Sequence, residues 1–497
     1  MQSQNVNKSL NESLQAKYPH LQISIFNFKK VSTHLIFGSE FNSNTREQAL
    51  QTLNINSSKT LNDYFDLINI TVSSVKESVY VYDLTHSLGN FMSDVELSND
   101  DLGSTKKEAI AGDFVISRLR SYLQEMAVIQ PKNFRQLLST EYLVYRAKTD
   151  LLSANTLMVF ALTKEIQTIL NHSQYGTEHP RFYEFVLNEM PIPNALLALN
   201  NEIDLIMKKA YEILETSKVL YKEAQELLYK ELGLDFKNPL KSLLKSSLQA
   251  KKPSELANIN DISKKYPHLN ISVRPLSKSL HKSGRLDSEY YQSKYDLMET
   301  KIKDYKGGYC KLQDIGFFTN GSFIPENLYT QHAKRAYIRI KELSFNAPIR
   351  IQECIYIDDN FEATNETMVK QNDFVIATIG NTIGKINLIP KELNGSFISN
   401  NTSRFRLTDT SIIPEFLELL LRNFVVQEQI QREFTQTAQP KISNTSLENI
   451  LIPKINPATQ EQIALKIQKS FTLRAKSKDL LQNAKFKIEQ MIENNPN

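Results

Sequence analysis

The chain repeats itself, and that constrains its fold more than any other feature. Tyr18-Pro19-His20-Leu21-Gln22-Ile23-Ser24 returns as Tyr266-Pro267-His268-Leu269-Asn270-Ile271-Ser272, an offset of 266 − 18 = 248 in a chain of 497 residues. Further along the offset is 260. Asp113-Phe114-Val115-Ile116 matches Asp373-Phe374-Val375-Ile376, Ser139 matches Ser399, Arg146 matches Arg406, Pro180-Arg181 matches Pro440-Lys441, and Ile192-Pro193 matches Ile452-Pro453. The step from 248 to 260 places a net 12-residue insertion in the second copy, between the first and second of these elements. A period of about 250 is far longer than the roughly 20–50 residues of a solenoid unit, so the repeat implies two related domains in tandem.

Each copy opens with short apolar runs bounded by turn residues, which are strand signals. They are 79–84, 113–119 and 140–146 in the first copy and 337–343, 373–379 and 403–407 in the second. Gly112-Asp113 and Asn372-Asp373 open the middle run of each copy as turns. Each copy then ends in a long helix with a narrow heptad seam. Leu199, Ile203, Ile206, Ala210, Ile213, Ser217, Leu220, Ala224, Leu227 and Leu228 carry it in the first copy, and Gly233 stops that helix. Ile463, Ile467, Ser470, Leu473, Ser477, Leu480, Ala484, Ile488 and Met491 carry it in the second. Narrow seams with small residues favour helix against helix over a helix on a broad core.

The expected fold is therefore α+β: two tandem globular domains, each ending in a long helix, with the two helices paired as a coiled coil. The expected segments are a first globular domain at 1–195, a helix at 196–235, a linker at 236–262, a second globular domain at 263–455 and a helix at 456–494. At 1.5 Å per residue the heptad-bearing stretch from about Leu196 to Leu232 reaches roughly 55 Å.

Composition excludes several classes. Hydrophobic residues at 41% and charged residues at 23% are ordinary for a globular protein. No run approaches the roughly 18 apolar residues of a spanning helix, and the polar start lacks a secretory h-region. Cys310 and Cys354, 44 residues apart, form neither a disulfide framework nor half of a zinc site, which suits a reducing cytoplasm. Residues 1–248 carry 25 Lys+Arg against 28 Asp+Glu, a net −3; residues 249–497 carry 34 against 27, a net +7. The basic second half permits nucleic-acid contact without requiring it.

No catalytic motif survives inspection. Gly380-Asn381-Thr382-Ile383-Gly384-Lys385 has three residues between its glycines rather than four, and Ile386 stands where a phosphate loop needs Ser or Thr, so a strand–turn–strand is the better reading. There is no dinucleotide fingerprint, no Pro-Pro dipeptide of an amino-methylating loop and no H-E-x-x-H. His20 and His268 sit in apolar elements, where a capping or core role is the simpler reading.

What remains is polar loops. Arg118 and Arg120 follow a strand in copy one, and Thr378, Asn381, Thr382 and Lys385 fill the matching stretch in copy two. Asn400 and Asn401 lie in a run matching residues 139–144. The loop with Thr177 and Arg181 matches the loop with Gln436 and Lys441. Such side chains bind phosphates or read base edges, though loops are usually polar merely because water surrounds them. The copies agree at apolar positions and differ here, as two readers of different DNA words on one scaffold would.

The whole pattern resembles the specificity subunit of a type I restriction–modification system. The motifs carrying the resemblance are GDFVISRLRS (112–121) and NDFVIATIGNTIGKINLI (372–389), the loops ending HPRF (179–182) and QPKI (439–442), and MPIP (190–193) and ILIPKI (450–455) leading into the helices. GRLDSEYYQSKYD (284–296) resembles the opening of a recognition domain, which FGSEFNSNTREQA (37–49) echoes only faintly; residues 50–111 hold little that the family's pattern places. The resemblance implies a non-catalytic subunit that reads a split double-stranded DNA target, its two target-recognition domains separated by the two long coiled-coil helices running antiparallel, with pseudo-twofold symmetry. Two methyltransferase subunits, and in some systems two restriction subunits, would dock on it. S-adenosylmethionine, ATP and magnesium would then sit on those partners and none on this chain. Two other classes compete: a methyltransferase of the same systems, which the missing motifs oppose, and a coiled-coil scaffold without DNA binding, which gives no reason for the copies to diverge in their loops.

Overall fold

A computed structural model describes residues 2–21, 23, 25–26, 28–243, 276–278, 284–330, 333–361, 368–434 and 439–494. The second copy's opening element 266–272, most of the linker 236–262, and Gln436 lie outside these residues. The chain divides into two compact units, one of Met1–Leu214 with Ala475–Asn497 and one of Glu215–Arg474.

Each unit is built round one four-stranded antiparallel sheet. In the first unit its strands are β1 (Phe65–Ile68), β2 (Phe114–Ser117), β3 (Met126–Val128) and β4 (Tyr142–Ala147), in the order β1-β4-β2-β3. In the second they are β5 (Gly316–Asn320), β6 (Phe374–Ala377), β7 (Ile386–Leu388) and β8 (Thr402–Leu407), in the order β5-β8-β6-β7. The registers coincide: Phe114 faces Val128 as Phe374 faces Leu388, and Ala147 faces Phe65 as Leu407 faces Gly316. The central strands β2 and β6 are buried along their whole length. Phe114 and Ile116 point into one apolar cluster and Val115 into another; Phe374 and Ile376, against Val375 and Ala377, repeat this. A strand covered on both faces reads as a continuous apolar run, which is why Asp-Phe-Val-Ile stands out in both copies.

The duplicated polar residues have a structural reason. Asp113 takes a bidentate pair from Arg146, 2.8 Å on each side, and also accepts the Ile110 amide. Asp373 does the same with Arg406, at 2.8 and 2.7 Å, and with the Lys370 amide. Each pair fastens the turn before the central strand to its neighbour. The turn residues Gly112 and Asn372 both adopt positive φ, +91° and +69°.

The insertion is now placed more closely. Phe65 and Gly316 are equivalent, an offset of 316 − 65 = 251, whereas Phe114 and Phe374 differ by 260. Nine of the twelve net residues therefore lie between β5 and β6. There the second unit places three strands of a further sheet, Tyr329–Thr330, Ile355–Ile357 and Arg335–Ile338, which Phe397–Ile398, from beyond β7, completes. Its counterpart resolves the unassigned 50–111 region: Thr71–Val72, Lys106–Ala109, Gln136–Ser139, Val79–Tyr82 and Leu97–Ser98 form one five-stranded sheet. The apolar run 337–343 is only partly a strand; it ends at Ile338, and Ile340–Glu342 is a 3-10 turn whose buried Glu342 bonds the Arg339 amide.

The long helices are α1 (Asn194–Glu231) and α2 (Pro457–Glu493). They run antiparallel within each unit. In the first, Lys487 pairs with Glu202, and the Ser477 hydroxyl donates to the Ala210 carbonyl at 2.8 Å. In the second, Ser217 and Ser470 donate to each other's carbonyls, both at 2.8 Å. Ser217 and Ser477 are 260 apart, so the repeat extends into the seam. Small residues admit the close approach these bonds need. Tyr221 stacks on Phe471 of α2, whereas Tyr211 is buried against Phe91 of the first unit's globular part; Ile206 and Leu220 are only half-buried.

Candidate nucleic-acid interface

Three segments meet at one corner of each unit: the loop after the central strand, the turn before β4 or β8, and the loop that precedes Arg181 or Lys441. The same three backbone hydrogen bonds tie them. The Arg118 amide donates to the Glu141 carbonyl, the Arg120 amide to Pro180 and the Phe182 amide to Arg118. At +260 the Thr378 amide donates to Asn401, Gly380 to Pro440 and Ile442 to Thr378. Isolated bridges join Leu119 to Arg181 and Ile379 to Lys441.

On this shared backbone the side chains differ. In the first unit the Glu141 carboxylate is a hub. Arg181 meets it at 2.6 and 3.0 Å, and Arg118 at 3.0 Å while reaching Glu184 at 3.4 Å. The Arg181 guanidinium holds the Glu141 carboxyl below its ordinary range; burial opposes this and Arg118 adds to it. Arg120 extends towards His179 Nδ1 at 3.5 Å, and Thr177 is exposed beside it. Two guanidiniums thus face two carboxylates, with a third, Arg120, turned to His179.

In the second unit the corner is neutral amide and hydroxyl with lysines. Thr378 is buried, and its hydroxyl is committed to the Asn401 carbonyl at 3.0 Å, so it positions the loop. Thr382 turns its hydroxyl back to Ile379. Asn381, Asn400 and Lys441 are exposed. Lys385 stands where the first unit has Glu125, a charge reversal at one backbone position. Burial, and then Arg350, push the Lys385 ammonium below its ordinary value, and it lies 5.9 Å from the centre of the half-exposed Phe345 ring. Burial raises the Glu125 carboxyl, with Ser117 opposing.

The structure therefore brings Arg118, Arg120 and Arg181 together, and likewise Thr378, Asn381, Asn401 and Lys441. Sequence reasoning did not single out Glu141, because a carboxylate does not advertise a polyanion site, although its position lies in the matched run 139–144. His20 is exposed rather than part of a core. Cys310 and Cys354 are free and buried, as small hydrophobes. Among the described residues no group of acidic, His and Cys side chains is arranged to hold a metal, and no helix is long and apolar enough to cross a membrane.

Residues 304–483 match the family model of the type I restriction modification DNA specificity domain. Among solved structures, the chain is similar to the S subunit of a type I restriction-modification system from M. genitalium, at 13% identity over 89% of this chain and 97% of that one, with a TM-score of 0.41. It is also similar to the HsdS subunit from Thermoanaerobacter tengcongensis, at 14% identity over 86% and 94%, with a TM-score of 0.27. No curated protein matches it.

Proposed function

We propose that this chain, whose residues 304–483 match the DNA specificity domain of type I restriction–modification systems, is a non-catalytic subunit that reads a split DNA target, one word with each unit. The observation that carries the reading is the corner built twice. Backbone and hydrogen bonds repeat at +260, while the side chains change from Arg118, Arg120, Glu141 and Arg181 to Thr378, Gly380, Asn401 and Lys441. A structural adaptor has no use for that divergence. Different base edges do: guanine suits a forked guanidinium, cytosine N4 a carboxylate, adenine an Asn amide.

The rest of the proposal follows from this role. Methyltransferase subunits carrying S-adenosylmethionine would modify adenine at the chosen words. Restriction subunits, where present, would bring ATP and magnesium. The long helices would fix the gap, with word centres about one turn, roughly 34–36 Å, apart. Arg118, Arg120, Arg181, Lys385 and Lys441 would hold phosphates or guanine edges; Asn381, Asn400 and Asn401 would read bases.

Methylome sequencing of the host with and without this gene tests the reading. A bipartite motif with an unread gap, lost on deletion, supports it. A continuous motif, or no change, rejects it.

A further inference from the structure

The hairpin tip between β2 and β3 differs from its counterpart in a way the two-word reading does not explain. Arg120 and Gln124 adopt φ of +50° and +53°, a left-handed backbone that L side chains disfavour. The equivalent residues of the second unit are Gly380 and Gly384, at +74° and +89°. Between Arg120 and Gln124 a 3-10 turn, Ser121–Leu123, lifts two apolar side chains into water: Tyr122 is 58% exposed and Leu123 39%. In the second unit the residue aligned with Leu123, Ile383, is buried at 5%, and Thr382 replaces the tyrosine.

The base of the first tip is bolted down. Ser121 is buried and bonds Asn171 at 2.6 Å and Gln174, and Asn90 donates to the Gln124 carbonyl at 2.9 Å. A rigid, protruding apolar pair beside Arg118, Arg120 and Arg181 has the chemistry of a wedge. The cations suit phosphates on either side, and the apolar tip suits the space between base pairs.

We infer that Tyr122 and Leu123 enter the base stack of the word read by the first unit, and that the second unit reads its word without such a wedge. This rests on the DNA-reading function proposed above. A wedge favours a step that unstacks easily, so the first word should contain a pyrimidine–purine step at that point.

The test uses the full-length chain and duplexes carrying its methylation motif, with 2-aminopurine placed at successive positions. The first word is the one unaffected when residues 297–455 are exchanged for those of a relative. We expect a several-fold fluorescence rise at one step of the first word and none in the second. Tyr122→Phe should keep the rise; Tyr122→Ala combined with Leu123→Ala should abolish it while the chain still binds DNA. A flat signal across the first word in a bound complex, or a rise that survives the double variant, overturns the wedge. Failure of the wild-type chain to prefer its motif over a scrambled duplex would instead remove the DNA-reading function, and the wedge with it; the binding isotherm separates that failure from the others.

Discussion

Glu141 would compete with a DNA phosphate for the guanidiniums of Arg118 and Arg181, both of which it already bonds. Its carboxyl is depressed below the ordinary value of 4.5 by Arg181, against burial and with help from Arg118. A depressed carboxylate contributes stability above its unfolded pKa and loses it as pH falls through the folded value. The triad is therefore complete at neutral pH, and DNA affinity between about pH 6 and 8 should not vary through Glu141. Removing its charge should do the opposite of an ordinary structural mutation. Glu141→Gln frees Arg118 and Arg181 for phosphate, so the slope of log affinity against log salt should steepen by up to about two units, near 0.9 for each additional phosphate neutralised. Non-specific affinity at low salt should rise as well. Salt titration of the variant checks this, and an unchanged or shallower slope would leave Glu141 a plain structural anchor. The arginines were legible in the sequence because they follow an apolar run and recur in matching loops. Their shared carboxylate was not, because no spacing rule links residues 118, 141 and 181 across three segments.

At the scale of elements, the two copies solve one packing problem differently. In the second unit the helix Pro414–Leu421 carries Glu418, buried and hydrogen-bonded to the Leu388 amide, and Arg422 caps its end. Arg422 bonds Glu418 at 2.5 Å, the carbonyls of Ile386 and Ala347, and the Tyr221 hydroxyl. Burial raises the Glu418 carboxyl, and Arg422 is the main opposing influence. The first unit has Met158 and Leu162 at these positions, both buried. Breaking a buried pair strands one charge at a cost of about 3–5 kcal/mol, while replacing both partners with apolar groups is often neutral. Arg422→Leu alone should therefore lower the melting temperature markedly, and Glu418→Met with Arg422→Leu should recover most of the loss. A double variant as unstable as the single would show that the carbonyls left bare matter more than the charge. The helix seam gives a second case. Ser470 sits against Ser217 with reciprocal bonds, so Ser470→Leu overpacks the seam there and should cost roughly 1–3 kcal/mol, read from denaturant unfolding. The seam was legible as a heptad, and its small residues marked the close approach. Tyr211 and Tyr221 were missed because a large aromatic at heptad spacing looks like a flank until its partner elements are known.

At the scale of the molecule, the duplication was the most legible feature, because apolar registers must persist for two sheets to form at all. Its limits were physical too. The second sheet of the first unit is made of strands of two to four residues, too short for periodicity to show, so within residues 50–111 only the run 79–84, which holds the strand Val79–Tyr82, was legible. The twelve-residue difference could be counted in the sequence but not divided between loops until β1 and β5 fixed equivalent positions. The two main cores share no residue: one gathers Phe114, Tyr145 and Phe160, the other Phe374, Phe405 and Phe416. Each unit is thus stabilised by its own interior. Exchanging residues 297–455 for those of a relative carries over β5 to β8, the second corner and the insertion, and leaves the first corner untouched. The methylated motif of the chimera should change in one word and keep the other. Both words changing would mean that the corners do not read independently; neither changing would place the reading surface outside the exchanged segment, and the two-word account would fall.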